Sequence, residues 1–322
     1  MSSGKDERVD QDTFPLLLKR MGKTHMGKRL ALQALHSAVK LGAKGLHVYW
    51  ENFGQLAPIL RMILKGAGLW GRASQNAMDY RVKDWAISLA DLPPLFQEYR
   101  ILHLSDLHID AMVDGGEKLR QVLQSLVYDV CVITGDFRHR TYGDSHESLR
   151  RIAELVKVID CPDGIVGVLG NHDFVEMVPR LEQLGIRMLL NEAMSIHRGN
   201  EELWMVGVDD PHWYELDDLK KALEPVPPQA YAILLAHSPE VIEEAATRGI
   251  GYYLCGHSHG GQICLPGGIP ILKNSRCARK FLGGPWEFKG MPGYTSRGTG
   301  CSLLPVRFNC RPEVIVHRLE RP

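Results

Sequence analysis

The chain has 322 residues, of which 44% are hydrophobic and 24% charged, a composition that excludes a disordered, collagen-like or disulfide-framework protein. The 38 basic and 38 acidic residues cancel, so the overall charge gives no reason to expect a nucleic-acid partner. The seven cysteines form no C-x-x-C pair, and no secretory signal is visible at the N-terminus. These features predict reduced thiols in a cytoplasmic protein.

Residues 17–72 form a strongly basic segment, with ten Lys and Arg residues against one acidic residue, Glu51. A helix drawn through this segment has an apolar face, made of Leu32, Leu35, Val39, Leu46, Trp50 and Phe53. The opposite face is polar, and holds Gln33, Ser37, Lys40, Lys44, His47 and Glu51. A second apolar stretch, residues 56–70, has the same basic character. The spacing predicts an amphipathic helix.

Three interpretations of this helix are open from the sequence. Its apolar face packs on the main domain, as in most amphipathic helices. Alternatively, the basic helix docks on an anionic membrane surface. Nucleic-acid binding is the third interpretation, and it is disfavoured because no aromatic residues of a base-stacking type alternate with the charges.

The Pro93-Pro94 break ends the basic segment and predicts two parts, an N-terminal basic amphipathic helical region at 1–92 and a main domain at 93–322. Beyond this break, short apolar runs alternate with segments of helical spacing, which is typical of an α/β domain. The predicted strands are 100–104, 130–134, 165–169, 203–208, 231–236, 251–255 and 313–317. The predicted helices are 116–126, 145–158, 176–184, 215–223 and 239–247.

Five of the predicted strands are followed at once by side chains that bind metals. Seven oxygen and nitrogen donors stand there: Asp106, His108, Asp136, Asn171, His237, His257 and His259. Because the carboxyl ends of strands in an open α/β sheet meet in one crevice, we expect these donors to form a single site. They are too many for one ion, and they suit two ions such as Mn, Fe(II) or Zn that share a bridging carboxylate.

The order of these motifs resembles the calcineurin-like metallophosphoesterase family over roughly residues 93–322. The motifs are D-x-H at 106–108, G-D at 135–136, G-N-H-D at 170–173, His237, and G-H-x-H at 256–259. The resemblance implies a four-layer αββα sandwich of two mixed sheets, to which the N-terminal helical region is an appendage. It also implies two divalent ions, with Mn expected first and Zn or Fe as alternatives.

The resemblance further implies a role for each site residue. One ion would be held by Asp106, His108, Asp136 and His259. The other would be held by Asp136, Asn171, His237 and His257, so that Asp136 is the bridge. His172 would stabilise or protonate the departing oxygen, and Asp173 would orient His172.

The chain departs from the family pattern at one position. The family usually has a second acidic residue three positions after the bridging aspartate, where this chain has His139 between Arg138 and Arg140. These three side chains are candidates for holding a substrate phosphate, since guanidinium groups bind phosphoryl oxygens well. The alternative is that the arginines are surface partners of nearby acidic residues.

The resemblance extends to the bacterial branch of cell-envelope phosphodiesterases and UDP-2,3-diacylglucosamine pyrophosphatases. Combined with the basic helix, it favours a phosphohydrolase acting on a lipid-linked nucleotide at the cytoplasmic face of the inner membrane. The expected reaction splits UDP-2,3-diacylglucosamine into 2,3-diacylglucosamine 1-phosphate and UMP, a step of lipid A biosynthesis. The alternative is a metal-dependent phosphodiesterase with another envelope substrate. A non-catalytic scaffold is disfavoured because none of the expected ligands is missing.

Overall fold

The structure, a computed structural model, describes residues 6–38, 56–271 and 275–322. Two six-stranded sheets form its centre. The first has the strand order β1-β14-β2-β3-β4-β5. Its strands are β1 Arg81–Ser88, β2 Arg100–Leu104, β3 Val130–Thr134, β4 Ile165–Val168, β5 Ile186–Met188 and β14 Glu313–Glu320. Strands β2 to β5 run parallel, and β14 lies antiparallel to β2.

The second sheet has the strand order β12-β13-β9-β8-β7-β6. Its strands are β6 Glu192–Arg198, β7 Glu201–Gly207, β8 Tyr231–Leu235, β9 Tyr252–Cys255, β12 Gly284–Phe288 and β13 Met291–Thr295. The pairs β6–β7 and β12–β13 are antiparallel hairpins, whereas β7, β8, β9 and β13 are parallel. Both sheets are therefore mixed. A short hairpin, β10 Cys264–Leu265 and β11 Ile269–Pro270, stands outside them.

The outer faces of both sheets are covered by helices, which in the described part of the chain are α1 Asp6–Met21, α2 Lys23–Ala38, α5 Glu117–Leu123, α6 His146–Val156, α7 Val178–Gln183, α8 Leu219–Ala222 and α9 Ile242–Thr247. Helices α3 Leu56–Gly66 and α4 Trp70–Asn76 pack instead on the loop around Leu304 and Val306. One apolar cluster joins the inner faces of the two sheets, for example through Ile101, Val132 and Ile233. Two further clusters join each outer face to its helices. This arrangement confirms the predicted αββα sandwich.

Helices α1 and α2 pack on the main domain. Leu17, Met21 and Met26 are buried in the same cluster as the outer face of the first sheet. For residues 6–38 the structure therefore agrees with the interpretation that the helical region is part of the fold. Val39, Leu46, Trp50 and Phe53, which complete the predicted apolar face, lie outside the described residues.

Among the described positions, the predicted faces of α2 are right for Ser37, which is exposed, and wrong for two others. Gln33, assigned to the solvent face, is 5% exposed, whereas Leu35, assigned to the buried face, is 37% exposed. Gln33 can be buried because its amide is hydrogen-bonded on both sides. Its Oε1 accepts from the backbone N–H of Val175 at 2.8 Å, and its Nε2 donates to Glu176 at 2.8 Å. Hydrogen bonds to a distant loop thus allow a polar side chain on the buried face of α2, beside the apolar Met26.

The predicted helical region, residues 1–92, is not helical at its end. Residues 81–88 form β1, which pairs in parallel with β14 along its whole length. Its exposure alternates, as expected for an edge strand with one covered face. Within residues 6–38, 56–271 and 275–322, no helix is both long and apolar enough to cross a membrane.

Candidate active site

The carboxyl ends of β2, β3 and β4 in the first sheet meet those of β8 and β9 in the second. The loops that follow these strands bring together all seven predicted donors, each at most 5% exposed. The convergence arises because the parallel strands of both sheets end at the same edge of the sandwich.

The backbone is strained where the donors lie. Five of the seven have a positive φ: Asp106 (52°), His108 (39°), Asp136 (57°), His257 (70°) and His259 (51°). Such conformations at non-glycine residues cost on the order of 1–3 kcal/mol each and persist only where the surroundings hold them. In this site the neighbouring loops hold these conformations in place. For example, the N–H of Asp106 donates to the carbonyl of Gly135 at 3.0 Å.

Gly135, directly before Asp136, permits the close approach of these loops. Its φ is +86°, and a Cβ at this position would lie 2.6 Å from the backbone nitrogen of Gly170 and 2.7 Å from His237 Nδ1. Any side chain here would push apart the ends of β3, β4 and β8. The glycine is therefore a geometric requirement of the site.

Four donors form a first group around one point. Asp106 Oδ1 lies 3.4 Å from His259 Nε2, and His108 Nε2 lies 3.1 Å from His259 Nε2. Asp136 Oδ2 completes the group at 3.5 Å from His108 Nε2. These separations are those expected between ligand atoms that share one ion at about 2.0–2.2 Å.

A second group shares Asp136 with the first. Asp136 Oδ2 lies 3.3 Å from His237 Nε2. Asn171 Oδ1 lies 2.9 Å from His237 Nε2 and 3.1 Å from His257 Nδ1. The same oxygen of Asp136 therefore faces both groups, as a bridging carboxylate would.

Hydrogen bonds to backbone carbonyls determine which ring nitrogens face the centre. His108 Nδ1 lies 2.9 Å from the carbonyl oxygen of Arg138, and His237 Nδ1 lies 2.8 Å from that of Thr134. A carbonyl can only accept, so each Nδ1 carries a proton and, in the neutral ring, Nε2 presents its lone pair to the centre. This tautomer is the one required of a metal ligand.

The charge of the cluster also fits divalent cations. Burial lowers the pKa of His108, His257 and His259 well below the usual value, so these rings are neutral. Burial alone would raise the pKa of Asp136, but the imidazoles of His237 and His172 hold it well below its usual value. Burial alone would lower the pKa of His237, but attraction to Asp136 raises it well above its usual value, so these two groups form a buried pair whose proton a divalent cation would replace. Carboxylate oxygens and imidazole nitrogens, with no thiolate among them, are donors that Mn, Fe(II) and Zn accept.

The sequence profile of the calcineurin-like phosphoesterases matches residues 99–261, which include all seven donors. The chain belongs to this family. It is 29% identical over 260 residues to the uncharacterized metallophosphoesterase YkoQ of Bacillus subtilis, covering 77% of this chain and 93% of YkoQ. It is 29% identical over 231 residues to phosphodiesterase YaeI of Escherichia coli, covering 69% of this chain and 82% of YaeI.

A third relative is the UDP-2,3-diacylglucosamine pyrophosphatase LpxG of Chlamydia trachomatis. The identity is 24% over 279 residues, covering 68% of this chain and 83% of LpxG. The protein is thus a metallophosphoesterase, a hydrolase, and its candidate ligand groups indicate divalent metal ions.

In this phosphoesterase, Asp173 has a different role from the predicted one. Its carboxylate accepts hydrogen bonds from the backbone N–H groups of Gly170 (2.9 Å), Asp136 (2.8 Å), Phe137 (2.9 Å) and Arg138 (3.3 Å). The expectation that Asp173 orients the His172 ring is therefore wrong. A buried carboxylate surrounded by four donors instead holds the loop that carries Asp136.

We expect Asp173→Asn to lower the free energy of unfolding by about 3 kcal/mol, because an amide NH₂ would face backbone donors in a buried site. Metal content should fall as well, since the Asp136 loop loses its anchor. Urea unfolding and elemental analysis measure both effects. Asp114→Asn is the control, because that carboxylate also accepts two backbone N–H groups but lies outside the site. Unchanged stability of Asp173→Asn would contradict the anchoring role.

His172 lies beside the bridging position. Its Nε2 is 4.0 Å from Asp136 Oδ2, farther than the nitrogens of His108 and His237. Its Nδ1 makes a short hydrogen bond to the carbonyl oxygen of His139, which places the Nδ1 proton and turns Nε2 toward the centre. His172 also forms a candidate metal group with His108 and Asp136, so geometry alone permits a ligand role.

Arg138 and His139, at and before the position of the family's second acidic residue, lie in the wall of the site. Arg138 is 1% exposed, its Nη2 donates to the carbonyl of Tyr142 at 2.7 Å, and its guanidinium lies over the ring of Phe174. It therefore braces its own loop and is not a surface partner of an acid. The ring of His139 lies 5.4 Å from that of His108, and burial lowers its pKa to about 4. Arg140 is exposed.

Two side chains outside the predicted site residues lie against predicted donors, and a third lies on the helix that contacts the loops carrying them. Arg307 is fully buried, with Nη2 3.3 Å from His259 Nδ1. The ring of His212 lies 3.9 Å from that of His257. His36, on α2, is buried beside Trp213. They come from segments far from the motifs, and no spacing pattern in the sequence points to them.

Proposed function

We propose that the protein is a dinuclear metal-dependent phosphohydrolase that cleaves a phosphodiester or pyrophosphate bond. One ion is held by Asp106, His108, Asp136 and His259, and the other by Asp136, Asn171, His237 and His257. The observation that carries this proposal is the position of Asp136 Oδ2, 3.5 Å from a nitrogen of the first group and 3.3 Å from one of the second. Mn is the ion proposed first, with Zn or Fe as alternatives, because oxygen and nitrogen donors suit all three.

Two bound divalent ions supply charge neutralisation at the phosphoryl oxygens and a water of lowered pKa. The chain supplies the geometry of the donors and the handling of the proton. His172 Nδ1 is committed to the carbonyl of His139, so a second proton on this ring can only be on Nε2, which faces the centre. In its cationic form His172 is thus placed to donate a proton to the departing oxygen.

The substrate proposed first is UDP-2,3-diacylglucosamine, split into 2,3-diacylglucosamine 1-phosphate and UMP in lipid A biosynthesis. The 24% identity to the pyrophosphatase LpxG over 68% of the chain supports it. The second candidate is a phosphodiester of another envelope component, supported by the 29% identity to phosphodiesterase YaeI. Both substrates require the same centre.

The experiment combines metal analysis with two assays on the purified protein. Two ions per chain, hydrolysis of UDP-2,3-diacylglucosamine and release of UMP would support the first candidate. Two ions per chain, together with hydrolysis of an aryl phosphodiester such as bis(p-nitrophenyl) phosphate but not of the UDP compound, would exclude the first candidate and support the second. Hydrolysis of neither compound by the metal-loaded protein would contradict both.

We also propose that the protein is peripheral at the cytoplasmic face of the inner membrane and that α3 forms the contact. Ile59, Met62 and Ile63 of α3 are 50–69% exposed, and Arg61 and Lys65 on the same helix lie over Trp70. Leu265, Ile269 and Ile271 of the β10–β11 hairpin are also more than half exposed.

These two apolar surfaces are neighbours. Leu60 of α3 and Ile263, just before β10, belong to one cluster that also contains Leu304 and Val306. Exposed apolar groups accompanied by basic ones match the chemistry of an anionic bilayer surface, where each Lys or Arg contributes about 1 kcal/mol. A substrate with acyl chains would be reached from this surface.

We expect Met62→Glu combined with Ile63→Glu to weaken co-sedimentation with anionic vesicles by at least about tenfold, because two apolar contacts are replaced by charges that anionic lipid repels. Hydrolysis of a diacylated substrate in vesicles should fall with binding, while hydrolysis of bis(p-nitrophenyl) phosphate is unchanged. Val127→Glu is the control, since Val127 is 73% exposed elsewhere on the surface. Vesicle binding unaffected by the double change would contradict the contact through α3.

A further inference from the structure

Helix α2 joins the two loops that carry the centre. On one side, Arg29 Nη2 donates to the carbonyl of Asp173 at 2.9 Å, and Gln33 accepts from the N–H of Val175 at 2.8 Å. On the other side, Ser37 Oγ donates to the carbonyl of Thr141 at 2.9 Å. The helix therefore lies across the loop after β4, which holds Asn171 and His172, and the loop after β3, which follows Asp136.

His36 projects from α2 between these anchors. It is 2% exposed, and its ring is stacked on Trp213 with 4.1 Å between the ring centroids. The backbone of Asn171 lies within hydrogen-bonding reach of the ring, which places His36 beside the loop after β4. It belongs to none of the candidate metal groups formed by the described residues.

Neither ring nitrogen of His36 makes a hydrogen bond of ordinary geometry among the described residues, although the backbone of Asn171 lies close to the ring. The hydroxyl of Tyr214, whose ring lies edge-on to His36 at 6.1 Å, has none there either, although Tyr214 is 1% exposed. Leaving a buried polar group unpaired costs about 1–3 kcal/mol. Such groups beside an active site are typical of positions where a bound ligand completes the hydrogen bonds.

We propose that His36 is a substrate-binding residue, which donates a hydrogen bond from its imidazole to a phosphoryl oxygen of the substrate on the His172 side of the centre. This inference rests on the proposed function, because it places the phosphate at the centre around Asp136. It makes α2 part of the active site, although this helix precedes every family motif by about 70 residues.

The chemistry of the position fits a phosphate. Arg29 lies 3.4 Å above the ring of Tyr214 and is paired with the buried carboxylate of Asp209 at 3.2 Å, so its charge is balanced within the fold. An imidazole carries at least one N–H donor in either protonation state, while phosphoryl oxygens offer only acceptors.

The test uses His36→Phe, which keeps an aromatic ring on Trp213 and removes both nitrogens. We expect kcat/KM for bis(p-nitrophenyl) phosphate to fall about 10- to 100-fold, the effect of losing one hydrogen bond to a charged group. The metal content should stay at two ions, and the melting temperature should be unchanged or higher because unpaired polar atoms leave a buried site. His36→Gln, which restores an N–H donor, should recover part of the lost activity.

Leu35→Ala is the matched control, since Leu35 is the exposed neighbour on the same helix. Wild-type kcat/KM in His36→Phe would overturn the inference and leave the proposed function intact. Loss of metal or stability in both His36 variants would assign the residue to the scaffold and overturn the inference too. In contrast, a wild-type protein that binds no metal, or a fully active Asp136→Ala variant, would overturn the proposed function itself.

Discussion

Asp136→Ala is expected to abolish hydrolysis, with a fall in turnover of at least about 10³-fold, and to lower the bound metal from two ions toward one or none. The reason is the double role of one oxygen, since Asp136 Oδ2 faces both His108 and His237 at 3.5 and 3.3 Å. Its other oxygen accepts the backbone N–H of His172 at 2.9 Å, so the change also loosens the loop after β4.

Asp136→Asn separates these two effects. An asparagine can still accept the N–H of His172, but it lacks the negative charge of the bridging carboxylate. We therefore expect metal loss nearly as large as in Asp136→Ala with a smaller loss of stability, measured by elemental analysis and urea unfolding. Asp163→Asn, at the opposite end of β4, is the control. Two tightly bound ions with near-normal turnover in Asp136→Ala would exclude this arrangement of ligands.

His172→Gln is expected to lower turnover by roughly 10²- to 10⁴-fold while the metal content stays at two, the usual result of removing a general acid. The distances support this division of roles, because His172 Nε2 is 4.0 Å from Asp136 Oδ2 and its Nδ1 is taken by the carbonyl of His139. The loss should be larger for a substrate with an alcohol leaving group than for a p-nitrophenyl ester, whose leaving group needs no proton.

Comparing the two leaving groups in His172→Gln shows whether His172 is a proton donor or a metal ligand. A ligand role, which the grouping of His172 with His108 and Asp136 permits, predicts that one ion is lost and that both substrates are affected equally. Metal analysis of His172→Gln beside the two assays decides the question. His146→Ala, an exposed histidine on α6, controls for the loss of an imidazole.

The central strands could be predicted from the sequence with little error. The predicted strands at 100–104 and 130–134 coincide with β2 and β3, because strands covered on both faces are continuous apolar runs bounded by polar residues. Strand β1 was not predicted, since it is an edge strand with one exposed face and a basic composition. Its position depends on β14, more than 200 residues later in the chain.

The donors could be predicted because they follow those strands directly. Once β2, β3 and β4 are parallel neighbours, the residues after each strand end lie at one edge, whatever the details of the loops. The role of Asp173 could not be predicted in the same way. Asp173 follows His172 directly, and for that reason it was predicted to orient the His172 ring. Its carboxylate instead accepts backbone N–H groups from a loop 35–37 residues earlier in the chain.

Short-range patterns of apolar runs and polar strand ends were therefore enough to predict the family, the α/β class and the place where the seven candidate donors meet. Which face of α2 is buried, and what that face contacts, depends on residues far apart in the chain. Arg29, Gln33 and His36 are buried because their partners or neighbours lie in loops about 100–180 residues later in the chain. A polar side chain is stable inside a protein only where such partners exist, and no local pattern records them.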